Sequence, residues 1–139
     1  MRITLESDYA LRIVTALAAK GDRMDSKALS DETSVTPRFT FKILHKLVTG
    51  DIVKSYKGVG GGYVLSRSPS EITLKKIIEL IDGPIAIARC LESDEGCALN
   101  HDKAACAYHH IFDFLSFELA RKLDKITILD VINKTYNIS

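Results

Sequence analysis

Cys90, Cys97 and Cys106 stand in a C-x6-C-x8-C array, and His109 follows three residues after the last thiol. Between them lie Glu92, Asp94, Glu95, Gly96, Asn100, His101 and Asp102. So polar a stretch builds no core of its own. Three soft thiolates converging on a metal would order it. An iron–sulfur cluster, a Cys3His zinc site and a redox-active thiol pair all use these residue types. A nucleophilic-cysteine enzyme using His109 or His110 is the rival chemistry. The sequence offers it no third residue to orient the base and no pocket signature. His101 and His110 otherwise read as solvated polar side chains.

The rest of the chain must position this stretch. An apolar content of 46% in 139 residues is enough for a real core. No apolar run reaches the roughly 18 residues of a membrane span, so no membrane partner is expected. The start, MRITLESDYA, lacks the apolar core of a signal peptide, which points to a cytoplasmic protein with reduced thiols. An odd number of cysteines also argues against a disulfide framework.

Charge is unevenly spread. Arg38, Lys42, Lys46, Lys54, Lys57 and Arg67 face a single Asp51 over residues 36–67, a local charge of +5, while residues 68–139 sum to −3. A basic segment beside a mildly acidic remainder suggests a small nucleic-acid face on a module with another task.

The spacing of Ala10, Leu11, Ile13, Val14, Leu17 and Ala18 predicts a helix over 5–20, capped by Thr4 or Ser7 and ended by Gly21. Asp8 near its start suits the positive end of the helix dipole. A short helix over 26–34 follows, with Ala28 and Leu29 inward. Thr36-Pro37 opens a third helix, since proline at the first helical position forfeits no hydrogen bond. Its expected buried stripe is Phe39, Ile43, Leu44 and Leu47, leaving Arg38, Lys42, His45 and Lys46 outside. Two short helices with a tight turn and a basic second face read as a helix-turn-helix.

Residues 51–56 and 63–67 read as strands around Lys57-Gly58-Val59-Gly60-Gly61-Gly62, a turn that needs glycine. A hairpin directly after a recognition helix is a wing. Its bare glycine backbone can approach a sugar–phosphate chain. No GKS or GKT follows, which argues against a nucleotide-binding loop. A helix over 72–82 stops at Gly83-Pro84. A long helix over 104–124 is apolar on more than one side through Ile111, Phe114, Leu115, Phe117 and Leu119. It therefore needs a second neighbour, and a second copy of the chain is the expected one. Residues 127–133 predict a short terminal helix folding back on it. The expected fold class is mostly α with a small β-hairpin wing: a winged helix-turn-helix plus a long dimerisation helix.

Together, MRIT, SDYALR, the helix from Thr36-Pro37 to Leu47, KGVGGGYVLSRSP, ITL…II…IDG, the three cysteines and ITILDVI resemble the Rrf family of winged-helix regulators, with its IscR-like and NsrR-like iron–sulfur sensors. The resemblance spans nearly the whole chain. It implies a homodimeric, non-enzymatic transcription regulator, a repressor, on palindromic double-stranded DNA. It implies a DNA-binding domain over 1–83, a cluster-binding loop over 84–103, and a dimerisation helix with the C-terminal helix over 104–139. Thr36, Arg38, Lys42 and His45 would then meet DNA from the recognition helix, and Lys57, Gly60 and Gly61 from the wing. The implied cofactor is a 2Fe–2S or 4Fe–4S cluster held by Cys90, Cys97 and Cys106. His109 matches the fourth ligand of IscR-like members, and Asp8 that of NsrR-like members. Lys57 replaces a commoner Arg, Thr40 a commoner Leu and Asp51 a commoner Gly, and the cysteine gaps are longer than in IscR-like members.

Overall fold

The structure is a computed structural model that describes residues 1–93, 97, 99 and 102–138. The elements run α1 (Leu5–Lys20), α2 (Ser26–Thr33), α3 (Pro37–Thr49), β1 (Val53–Tyr56), β2 (Gly62–Leu65), α4 (Leu74–Asp82), α5 (Ala107–Asp124) and α6 (Ile128–Asn133). Short 3-10 turns occupy Pro69–Glu71, Arg89–Leu91 and Lys103–Ala105. The mostly helical fold with one antiparallel hairpin is the one the sequence predicts. Among the described residues no helix is long and apolar enough to cross a membrane.

Helix α1 is the central strut. Ala10, Ile13, Val14 and Leu17 fall at helical spacing and are buried, so one face meets the core. Thr4 caps the helix by accepting a hydrogen bond from the Ser7 amide, and Gly21 ends it at φ 67°. Leu29 of α2, and Ile43, Leu44 and Leu47 of α3, close over that face with Ile52, Val53, Ile72 and Ile77.

Two inward assignments change. Ala28 is exposed, and Leu29 with Ser30 takes the inner positions of α2. Phe39 is 38% exposed, while Thr40 is fully buried. Residues 40, 43, 44 and 47 share one face at i, i+3, i+4 and i+7, and position 39 lies to its side. Phe39 instead packs edge-on against Tyr9, with ring centroids 5.8 Å apart. The Thr40 hydroxyl is satisfied at the helix-turn-helix corner. The Val35 carbonyl accepts from Thr40 Oγ1 at 3.3 Å and from Ser30 Oγ at 2.5 Å. One carbonyl thus ties α2 to α3. Ser34 makes the turn itself at φ 55°.

The hairpin pairs Val53 with Leu65 and Tyr56 with Gly62. Asp51 stands before it at φ 58°, a left-handed conformation that Asp tolerates better than most residues. Its carboxylate holds Arg67 at 2.9 Å.

The last helix does not fold back on α5. It packs on α1, and Ile128 is fully buried in the N-terminal core. An antiparallel bridge between Thr73 and Thr127 carries the chain there, with Leu74 N donating to Ile126 O and Ile128 N to Ile72 O. The end of α5 is thereby fixed to the start of α4. Helix α5 itself lies outside the core. Of its side chains only Ser116 is buried, by accepting the Ile87 amide at 3.0 Å.

Candidate nucleic-acid interface and metal centre

Helix α3 and the hairpin form one basic face. Thr36 caps α3, its hydroxyl accepting the Phe39 amide at 3.4 Å, so its position at the start of the helix is fixed. Arg38, Lys42 and His45 are exposed along the outer side. A groove of about 660 Å³ runs between α3 and the wing, lined by Phe41, His45, Val48, Tyr56, Lys57 and the tip glycines. Gly60 and Gly61 are at the tip, Gly60 at φ 74° with nothing within 4 Å of an added Cβ. Gly61 differs. A Cβ there would meet the Tyr56 carbonyl at 2.5 Å, so the tip can turn only on glycine.

Three participants were not anticipated. Phe41 is 64% exposed and lines the groove with His45. Its position off the 40/43/44/47 stripe is the signal that could have found it. Tyr56 is the second. Glu6, at the start of α1, is the third. Its carboxylate takes Lys42 Nζ at 2.6 Å and Lys46 Nζ at 2.5 Å. Hydrogen bonds from Lys42 and then Lys46 hold the Glu6 carboxyl below its ordinary range. The pairing is therefore present at neutral pH and is lost only as pH falls through that lowered value.

The basic face is thus partly neutralised by a residue far away in sequence. Were these lysines to meet a duplex, phosphate would compete with this carboxylate for them. Glu6→Gln removes one negative charge from this face and is expected to tighten binding to DNA of arbitrary sequence and to steepen its salt dependence by up to about one unit. Fluorescence anisotropy across a salt series reads both. Weaker binding would mean that Glu6 orients the lysines instead of masking them.

The cysteine stretch begins where α4 ends. Cys90 lies half-buried in the 3-10 turn Arg89–Leu91, Cys97 is exposed, and Cys106 is the half-buried residue that opens α5. The three form no disulfide. Lys103 Nζ donates to the Cys90 carbonyl at 2.9 Å and to the Ser93 carbonyl at 2.8 Å. Lys103 O accepts the Cys106 amide at 3.1 Å. One lysine thus ties the turn of Cys90 to the turn that leads into Cys106. His110 contacts the Ala104 carbonyl through Nε2 at 2.5 Å. His109 Nδ1 is buried and has no hydrogen-bond partner among the described residues. Asp8 is paired with Arg12 at 2.7 Å.

Among the described residues no group of three or more His, Cys, Asp or Glu side chains closes to metal-binding spacing. Asp94, Glu95, Gly96, Asn100 and His101 of the loop lie outside the described residues. Two observations nevertheless fit a thiolate-held centre. The donor types are those soft metals and iron–sulfur clusters take. A buried imidazole nitrogen without a partner, three residues after Cys106, is a group that needs one.

The sequence model of the Rrf2 family, described as an iron-dependent transcriptional regulator, matches residues 3–134. The chain belongs to the Rrf2 family. It is 33% identical over 137 residues to an rrf2-like helix-turn-helix regulator of Rhodobacter capsulatus, covering 94% of this chain and 91% of that protein. It is 23% identical over 141 residues to the regulator NsrR of Bacillus subtilis, covering 99% and 94%. Among solved structures, CymR, the global cysteine regulator of B. subtilis, superposes with a TM-score of 0.78 at 23% identity, over 96% of this chain and 98% of that one. IscR of T. potens gives 0.76 at 18% identity, over 97% and 88%. These two likenesses establish the winged-helix fold. As an Rrf2 protein the chain is a DNA-binding transcription regulator.

Proposed function

We propose that this Rrf2 regulator is a homodimeric repressor whose grip on a palindromic operator is set by an iron–sulfur cluster, 2Fe–2S or 4Fe–4S, on Cys90, Cys97 and Cys106. The observation that carries this reading is the Lys103 tie, which holds the turn of Cys90 against the start of α5. A positive side chain there also suits an anionic cluster. When bound, the cluster supplies a centre that oxidation, nitric oxide or iron shortage can change or remove.

The chain's own residues convert that change into affinity. Cys90 follows α4, and Cys106 opens α5. Ordering the loop between them therefore fixes the angle between the winged helix and α5. In a dimer joined through α5, that angle sets the spacing of two recognition helices. Half-site spacing is a geometric requirement of two-fold DNA binding. Arg38, Lys42 and His45 would enter the major groove from Thr36 onward, and Lys57 with Gly60 and Gly61 would reach the adjacent backbone or minor groove.

The fourth ligand is either His109 or Asp8. The unpartnered Nδ1 favours His109. Asp8 would first have to release Arg12. A single non-thiolate ligand makes a cluster easier to lose, which suits a sensor. In domain terms, residues 1–83 bind DNA, 84–103 hold the cluster and 104–139 carry the dimer helix, with α6 returned to the DNA-binding core. A second reading is a switch based on zinc or bare thiols, favoured by the exposure of Cys97.

Anaerobic purification separates these readings. Brown protein with visible absorbance and acid-labile sulfide is expected. Colourless protein with one zinc per chain, or with no metal and a disulfide-forming pair of thiols, would replace the cluster by the second reading.

A further inference from the structure

The wing is too small to hold itself in place. Each strand has four residues, and an isolated two-stranded hairpin is marginal in water. Its tip turns on Gly58 at φ 84° and Gly60 at φ 74°, where glycine adds freedom as well as reach. The base is anchored, because Ile52 and Val53 are buried. The tip has no such burial, and Val59 is fully exposed.

What holds the tip comes from the loop between α1 and α2. Met24 bridges Tyr63, with Met24 N donating to Tyr63 O at 3.0 Å and Tyr63 N to Met24 O at 2.8 Å. Arg23 extends this contact outward. Its Nη1 donates to the Gly60 carbonyl at 2.6 Å. Its guanidinium lies over the Tyr56 ring, 4.2 Å from the centroid. Gly62, at φ 140°, makes room for the approach, since an added Cβ would meet Met24 O at 2.8 Å and Arg23 Cγ at 3.0 Å.

We propose that Arg23 is the positioning residue of the wing: it fixes the tip so that Lys57 is presented to DNA. Tyr56 precedes Lys57 and Gly60 follows it by three residues, so the guanidinium grips the tip on both sides of the lysine. A planar group can stack on a ring and donate in its plane at once. A lysine ammonium can do only one of these. Arg23 is also two residues from Asp25, the cap of α2, so the tip is referenced to the helix-turn-helix and not only to its own strands. Holding a binding loop in its bound conformation raises affinity by lowering the ordering cost.

The inference rests on the wing meeting DNA, and the test keeps the two apart. Arg23→Ala, Arg23→Lys, Lys57→Ala and the Arg23→Ala/Lys57→Ala double variant of the full chain are titrated against an operator duplex selected from random-sequence DNA. Hydrogen exchange of the wing amides is followed in the DNA-free protein. Arg23→Ala should lose about tenfold in affinity, and Arg23→Lys should recover only part of it. The double variant should bind nearly as well as Lys57→Ala, because Arg23 acts through Lys57. The Gly61 amide, bonded to Gly58 O at 2.9 Å, should exchange faster in Arg23→Ala while α1 amides stay protected. Fully additive losses would make Arg23 an independent phosphate contact and overturn the proposal. Unchanged exchange at Gly61 would overturn it too. Unchanged binding in Lys57→Ala would take the wing out of the interface, and the DNA role of Arg23 with it.

Discussion

Replacing Cys106 with alanine is expected to remove iron, acid-labile sulfide and visible absorbance from anaerobically purified protein. It should also abolish the response of DNA binding to oxidant or nitric oxide. Two thiolates and one imidazole or carboxylate are a poor set for a cluster that uses three thiolates. The fold should survive. Cys106 is only half-buried and opens α5 outside the core, so far-ultraviolet circular dichroism and the thermal transition should change little. The switching loss should be large. Moving an operator from 99% free to 99% bound takes about a 10⁴-fold difference in affinity between two states, about 5.5 kcal/mol. A variant fixed in one state forfeits all of it. Colour that survives Cys106→Ala would exclude this thiol as a ligand.

The second large effect concerns α5. Joint replacement of Phe114 and Phe117 by aspartate is expected to yield monomers and to weaken operator binding at least about a hundredfold. Both rings lie open in the single chain, 62% and 64% exposed, on the helix that also exposes Tyr108 at 72% and Ile111 at 51%. Soluble monomers seldom expose contiguous apolar surface on this scale. A helix of 18 residues is about 27 Å long, enough to bury a full seam against a second copy. Losing the dimer turns one two-site event into separate single-site events, and linked binding is commonly worth 10² to 10⁴ in affinity. Neither ring belongs to the core, so sedimentation should report a folded monomer. A stable dimer carrying both aspartates would place the interface elsewhere.

Local signals made most of the elements legible in the sequence. Thr36-Pro37 marks the start of α3, Gly21 and Gly83 mark stops, and the glycine run marks the wing tip. Each is a consequence of backbone sterics or of an unfilled hydrogen bond at one position. The inner face of α3 was harder. Phe39 is more apolar than Thr40, yet helix geometry places the threonine inside, where the Val35 carbonyl satisfies it.

Long-range pairings left no local trace. Glu6 sits 36 residues from Lys42, and Arg23 sits 37 from Gly60. In a charge count by segment both look like solvated surface. The course of α6 was hidden for the same reason. Only the Thr73–Thr127 bridge shows that Ile128 completes the core around α1 instead of covering α5. The cysteines were legible as chemistry by type and spacing. The Lys103 tie and the unpartnered His109 nitrogen appear only in three dimensions.

The most direct measurement is an anaerobic titration of one selected operator duplex with the same protein before and after chelation of its iron, at fixed salt. The two states should differ by at least about a hundredfold in Kd, with the difference restored by iron and sulfide. Equal affinities in brown and bleached protein would show that the cysteine stretch does not govern the grip on DNA.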